Sequence, residues 1–262
     1  MKRSLAISAL GGMALAAGGA GEEQAVNELI PKLADAKVES RYAAQMALQD
    51  IASNASKPGN EAARATLGKI LAAKAADPSV PQPARVWIVR QLEYMGGEEA
   101  VGALDKVMNG GDAELRECAR RALEKNPAPG ATASLRAALG KASDATWKIG
   151  LINSLGQRAD GGSVKSIAKG LDDAKTAPAA ALALGKIGDS AAVEALWGAF
   201  GKIPEAGEAL IVAANQLAAK GDAAAAKAIY QRIAEQTKSK SLRAAAEFGL
   251  KKTDSAKAPG KK

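Results

Sequence analysis

The stretches KIGDSAAVEALWGAF, Lys186–Phe200, and AKGDAAAAKAIYQRI, Ala219–Ile233, set one phrase down twice, thirty-three residues apart: Gly-Asp, a run of small residues, then an apolar pair. Taking Leu196 of the first copy as an anchor, the chain offers apolar residues in the same setting at Leu29, Leu67, Leu104, Leu135, Ile167, Leu196 and Ile229. Each has an apolar partner four positions on, at Leu33, Leu71, Met108, Leu139, Leu171, Phe200 and Ile233. Residues i and i+4 share one face of a helix, so the pattern predicts a first helix, A, in every repeat. Turn and cap residues stand seven or eight positions before the anchors, among them Gly59 with Asn60, Gly96 with Gly97, Asp160, Gly188 with Asp189, and Gly221 with Asp222. Asp and Asn there can accept from the exposed N–H groups that open a helix.

A second helix, B, follows each A. Its anchors are Leu48, Leu92, Leu123, Leu155, Leu184, Leu217 and Leu250, each preceded four positions earlier by Ala44, Ile88, Ala119, Leu151, Ala180, Ala213 or Ala246. Five of the seven B helices open on a cation seven positions before the anchor: Arg41, Arg85, Arg116, Lys148 and Arg243. The B anchors are spaced 44, 31, 32, 29, 33 and 33 residues apart. Two helices in a period of roughly 30 to 45 residues predict an all-α solenoid of about seven repeats, in which no repeat buries its own apolar face. The long first interval holds DPSVPQP, Asp77–Pro83, read as an elaborated turn because its prolines restrict the backbone before the next helix.

Composition narrows the chemistry. Of the 262 residues 47% are apolar but only 3% aromatic, so the core must be built largely from small residues in closely approaching helices. There is no histidine, which removes Ser-His-Asp, Cys-His and His-metal constellations, and the single Cys118 can form neither an internal disulfide nor a cysteine zinc cluster. The opening MKRSLAISALGGMALAAGGA, Met1–Ala20, has two cations, an apolar Gly/Ala-rich run and small residues before an acidic cluster, and reads as a secretory signal peptide cleaved near Ala20. The formal charge of +8 sits at the ends: without Lys2, Arg3 and the charges of Lys251–Lys262, the body has 29 cations against 27 anions. A basic nucleic-acid groove is not expected on such a body. The expected organisation is a signal peptide over 1–20, a repeat solenoid over 21–253 and a flexible basic tail over 254–262.

The segments AELRECARRALEKNP, Ala113–Pro127, and SLRAAAEFGLKK, Ser241–Lys252, resemble second helices of HEAT repeats, particularly the short phycobilisome-lyase type. That resemblance implies an Asp in the turn and an Arg opening the second helix, which Asp112 with Arg116 and Asp144 with Lys148 match, while Asp173 keeps the acid and Ala177 lacks the cation. It also implies that B helices line a concave surface. The aromatic-rich consensus of the rival tetratricopeptide repeat is absent.

Single residues read mostly as structure. Cys118 aligns with Ala43, Trp87, Gly150, Ala179, Val212 and Ala245 in the other B helices, all small or apolar, and is expected to be a packed structural cysteine. The Asp and Arg or Lys pairs are expected to cap and to form i,i+4 pairs. Glu98 and Glu99 suit the first turn of a helix, and Trp87, Trp147, Trp197 and Tyr94 are expected in the core or half-buried. The B-helix position five after the opening cation differs: Met46, Arg90, Arg121, Asn153, Leu182, Asn215 and Phe248, with Tyr94, Lys125, Gln157 and Lys186 one turn on. This line is polar through its centre and lies off the core stripe. Arg90, Tyr94, Arg121, Asn153 and Asn215 are therefore the candidate protein-binding residues. The expectation is an exported, monomeric, non-enzymatic scaffold or adaptor that binds another protein or an extended peptide, with no cofactor, metal or nucleic acid. The alternative is an accessory subunit assisting modification or assembly of another envelope protein.

Overall fold

A computed structural model describes residues 19–255, and these form fourteen α-helices with no strand. In chain order they are α1 Ala20–Leu33, α2 Val38–Ala55, α3 Glu61–Ala76, α4 Gln82–Met95, α5 Glu98–Met108, α6 Ala113–Lys125, α7 Pro129–Lys141, α8 Ala145–Gln157, α9 Val164–Ala168, α10 Ala177–Ile187, α11 Ser190–Ala199, α12 Pro204–Ala219, α13 Ala223–Gln236 and α14 Lys240–Ser255. Odd helices are the A helices and even ones the B helices, giving seven hairpins. The fold is an all-α solenoid of HEAT-like two-helix repeats. The chain divides into two compact units, Met1–Leu135 and Arg136–Lys262, with the division inside α7. In the first unit α4 packs on α6 and α3 on α5; in the second α8, α10 and α12 pack side by side.

All seven A anchors are buried, and so are all seven apolar residues four positions before the B anchors. Of the B anchors, Leu48, Leu92, Leu123, Leu155 and Leu184 are fully enclosed, whereas Leu217 and Leu250 are half-buried. The fifth repeat departs from the expected helix. Gly161–Ser163 and Lys169–Asp172 form 3-10 turns on either side of the five-residue α9, so Leu171 leaves the α-helical stripe and is only half-buried. Glycines at 161, 162 and 170 account for the short helix, because each costs about 1 kcal/mol against Ala in a helix interior. Phe200 likewise falls just past the end of α11, where its ring tilts against Trp197 at 5.1 Å.

Small residues set the helix spacing, as the composition requires. A Cβ on Gly156 would stand 2.7 Å from the Ala183 Cβ, and one on Gly185 2.7 Å from the Ala209 carbonyl. The glycines thus let α8, α10 and α12 approach until backbone meets backbone.

Helix ends are tied off by a recurring pair of devices. Asp112, Asp144, Asp189 and Asp222 each accept a hydrogen bond from the backbone N–H three residues on, at 2.8 to 3.0 Å, as the repeated Gly-Asp phrase predicts. The cations opening the B helices reach backward: Arg41 donates to the Asp35 carbonyl at 2.7 Å, Arg85 to Ala75 at 2.8 Å and Arg243 to Thr237 at 2.7 Å. In these three repeats the cation satisfies carbonyls at the C-terminus of the preceding A helix, where the helix dipole also favours positive charge. None of these three has an acid four positions earlier, so a carbonyl takes the place of the Asp that precedes Arg116 and Lys148. Asn60 also departs from expectation, since its amide donates to the Asn54 carbonyl at 3.0 Å and does not cap α3. Glu99 does serve the start of α5, accepting from the Gly97 N–H at 2.9 Å. In the DPSVPQP turn, the Asp77 carboxylate accepts from both the N–H and the hydroxyl of Ser79 before Pro81 leads into α4.

Met1–Gly18, which carry most of the proposed signal peptide, lie outside the described residues, and Ala20 opens α1. At the other end Asp254 and Ser255 belong to α14, with Asp254 ion-paired to Lys227, while residues 256–262 of the basic tail lie outside the described residues. No helix among the described residues is long and apolar enough to cross a membrane.

Two measurements check this packing. Leu155→Asp puts a carboxylate into the fully enclosed core between neighbouring repeats and is expected to cost about 3 to 5 kcal/mol, whereas Asp254→Ala, at an exposed ion pair, is expected to stay within about 1 kcal/mol. Denaturant titrations of the two variants should differ accordingly. The second concerns Glu22, whose side chain is buried in the first turn of α1 with one carboxylate oxygen lacking a partner, and whose pKa is pushed up by that burial. A raised folded-state pKa means that the folded chain holds the proton more tightly, so Glu22 destabilises once pH rises through that value and costs nothing below the ordinary glutamate range. Glu22→Gln is therefore expected to raise the thermal midpoint at neutral pH, with the gain vanishing on acidification.

Candidate functional site

Helices α4 and α6 of the first unit carry three of the five sequence-predicted site residues on one shared face. Arg90 and Tyr94 are one turn apart on α4; Arg121 and Lys125 are one turn apart on α6. The two pairs meet because α4 and α6 pack along their length as consecutive B helices. Their core-facing residues, Ile88 and Leu92 on α4 and Ala119 and Leu123 on α6, are all buried, and Arg90, Tyr94, Arg121 and Lys125 are exposed.

At the centre is a residue that the sequence reading did not single out. Glu93 follows the core anchor Leu92 and its side chain is only 4% exposed. One of its oxygens receives Arg121 Nη2 at 3.2 Å and Lys125 Nζ at 2.6 Å. Lys125 Nζ also stands 4.7 Å from the centroid of the Tyr94 ring, and the carboxylate beside it, set against some desolvation, raises its pKa. Arg90 places its guanidinium 5.0 Å from the centroid of Trp87, one turn back on the same helix. Glu93 thus fixes two cations, one of them against the Tyr94 ring, while Arg90 is held separately over Trp87. The signal available in the sequence was an acid directly after a core leucine, on a face otherwise populated by cations.

Tyr94 is 75% exposed, which corrects its placement among core or half-buried aromatics; Trp87, Trp147 and Trp197 are half-buried as expected. Tyr94 is exposed because it sits one helical turn beyond Arg90 on the outward line while Leu92 takes the core position. On its other side the ring overlooks a cleft of about 600 Å³ between α2 and α4, lined by Gln49, Ser53, Lys57 and Gln91. Cys118 lies next to Arg90 and is half-buried, less enclosed than expected for a packed core thiol. Burial pushes its thiol pKa up, and the Arg90 side chain, which hydrogen-bonds it, opposes that shift without cancelling it. The thiol is accordingly a poor nucleophile at neutral pH.

The other two predicted residues belong to the second unit and are not brought together. Asn153 is exposed on α8 and Asn215 exposed on α12, with α10 packed between those helices. Asn215 Oδ1 accepts the phenol of Tyr230 at 2.7 Å. The Arg136 guanidinium clasps the Asp160 carboxylate, which Ser163 also contacts. Burial would raise the pKa of Asp160, and these partners outweigh it and hold the group below the usual carboxylate range. Its part is structural, securing the turn into α9. Among the described residues no three Asp, Glu or Cys side chains gather where they could hold a metal ion.

No protein-family model matches the chain, and neither does any curated protein. Among solved structures it is similar to human deoxyhypusine hydroxylase in complex with glycerol, at 19% identity over 91% of this chain and 99% of that one, with a TM-score of 0.35. It is also similar to a designed armadillo repeat protein, at 15% identity over 86% and 98% of the two chains with a TM-score of 0.37. An engineered protein aligns at 19% identity over 88% and 96%, with a TM-score of 0.29. At these scores the similarities bear on no residue or activity of this chain.

Proposed function

We propose that this chain is an exported, non-enzymatic adaptor that binds another protein through the exposed faces of its B helices. The observation that carries the reading is the α4–α6 surface, where the enclosed Glu93 holds Arg121 and Lys125 beside Tyr94 and Arg90 lies over Trp87. Planar guanidinium groups and exposed aromatic rings are the side chains that contribute most at protein interfaces, and the cationic excess favours an acidic segment. Glu93 holds Arg121 and Lys125 in place before a partner arrives, which lowers the ordering cost of binding. Nothing in the arrangement requires a nucleophile or a proton carrier, in keeping with a chain that has no histidine and whose one thiol is pushed toward its neutral form.

Export follows from Met1–Ala20 as a cleaved signal peptide, and a monomeric mature chain beginning near Gly21 is the proposed functional form. Intact-mass measurement of the chain recovered from its native source is expected to show loss of residues 1–20; a mass retaining them would place the protein elsewhere.

Binding is tested with the double variant Arg90→Ala, Arg121→Ala. It is expected to weaken the partner co-purified with the tagged wild-type chain by about 1 to 3 kcal/mol while leaving the circular dichroism spectrum unchanged, because both side chains point away from the core. The matched control Lys257→Ala, Lys261→Ala removes two charges from the tail and is expected to bind as wild type. Loss in the tail variant with retention in the Arg90→Ala, Arg121→Ala variant would assign the contact to the basic tail.

A further inference from the structure

The second unit contains an apolar trough that the cationic face does not account for. Along α8, α10 and α12 the B helices touch backbone to backbone through Gly156 and Gly185, but α14 packs mainly on α13 and only lightly on α12. The cause is Tyr230 of α13. Its ring is fully enclosed, lies where a Cβ on Gly249 would be, and extends its hydroxyl to Asn215 on α12, so it stands as a wedge between the two B helices. The resulting gap has a volume of about 650 Å³. Its floor is made of small residues, including Ala218, Ala219 and Ala245, and Phe248, 70% exposed, forms one wall.

An exposed phenylalanine beside an alanine floor offers a partner apolar surface whose removal from water is favourable. Of the polar groups along the trough, the Thr253 hydroxyl is spent on the Gly249 carbonyl and the Tyr230 hydroxyl on Asn215. Lys252 stands exposed at the edge, and Asn215, also exposed, has its side-chain carbonyl oxygen engaged by Tyr230, which leaves its amide group as a donor. Burial raises the pKa of the Tyr230 phenol, which keeps it the donor of that pair. No carboxylate lines the trough. The complementary occupant buries an apolar side chain on the alanine floor and presents a carboxylate to Lys252 and Asn215.

We infer that the trough between α12 and α14 is a second docking site, which takes an acidic segment of another protein by inserting one of its large apolar side chains against Phe248 and the alanine floor. This deepens the reading of the chain as a protein-binding module and uses a different surface from the α4–α6 face. Residues 256–262, AKAPGKK, have three lysines and no Asp or Glu side chain to set against Lys252.

The test is selection of a phage-displayed random twelve-residue peptide library on the immobilised full chain, followed by fluorescence anisotropy with a labelled enriched peptide. Enriched sequences are expected to pair a large apolar residue with nearby Asp or Glu. Ala245→Trp, which fills the floor from an exposed position, and Phe248→Ala, which removes the wall, are each expected to weaken the labelled peptide by about tenfold or more at an unchanged thermal midpoint. Lys252→Glu is expected to abolish the acidic preference in a repeated selection, and the Arg90→Ala, Arg121→Ala variant is expected to bind the peptide as wild type. Absence of enrichment, or binding indifferent to both Ala245→Trp and Phe248→Ala, overturns the inference. Loss of the peptide in the Arg90, Arg121 variant alone overturns it while leaving the cationic face standing. Binding that appears only after truncation at Ser255 gives the trough to the tail, and a concentration-dependent dimer lost in Ala245→Trp gives it to a second copy; either result also overturns it.

Discussion

Within each unit a hairpin must share its apolar stripe with a neighbour, because two short alanine-rich helices cannot enclose their own leucines. The anchors from Leu29 to Ile229 are buried only because a neighbouring helix lies across them. With so few aromatic residues, the area removed from water per side chain is small, and stability depends on how closely the helices approach. Gly156 against Ala183 and Gly185 against Ala209 are where that approach is closest. A larger residue at either glycine would drive two helices apart and strip the leucines behind them of their cover.

Close stacking leaves helix ends crowded and their backbone groups in need of partners. The Asp caps at Asp112, Asp144, Asp189 and Asp222 answer the N–H groups, and the arginines at Arg41, Arg85 and Arg243 answer carbonyls from the preceding helix. Each such arginine ties the start of a B helix to the end of its A helix. Fixing that joint fixes which B-helix residues face outward, and so the local electrostatics of the turns orient the side chains available for binding.

The repeat and its register could be read from sequence because they rest on period and on small-residue spacing, both one-dimensional signals. The A anchors and the residues preceding the B anchors all fell on buried positions. Leu171 was misplaced because a 3-10 turn advances three residues per turn where an α-helix needs 3.6, and the Gly161, Gly162 and Gly170 breaks were not weighed against the apolar match. The opening arginines were recognised as a pattern, but the acceptors of Arg41, Arg85 and Arg243 were not, since a carbonyl acceptor has no residue identity to find. Glu93 was invisible for a related reason: its partners come from the next hairpin, and only the packing of α4 on α6 shows that Arg121 and Lys125 converge on it. The Tyr230 wedge needed Gly249 and Asn215, nineteen residues after it and fifteen before it, to be seen as one contact.

The same arithmetic explains where binding chemistry can reside in such a chain. Four residues before each B anchor the side chain is held to Ala, Ile or Leu, because it is buried in all seven hairpins. Two residues before the anchor it is free, and there the chain places Met46, Arg90, Arg121, Asn153, Leu182, Asn215 and Phe248. Nothing in core packing asks for a guanidinium in two hairpins, an amide in two others and an exposed phenylalanine in the last. Within the first unit Arg121 shares the Glu93 carboxylate with Lys125, and Arg90 lies over the Trp87 ring on the neighbouring helix. Within the second, Asn215 and Phe248 border one trough whose width is set from behind by Tyr230. A repeated scaffold thus holds position constant and varies chemistry, so each surface can be altered by substitution at exposed sites without disturbing the leucines that keep the hairpins stacked.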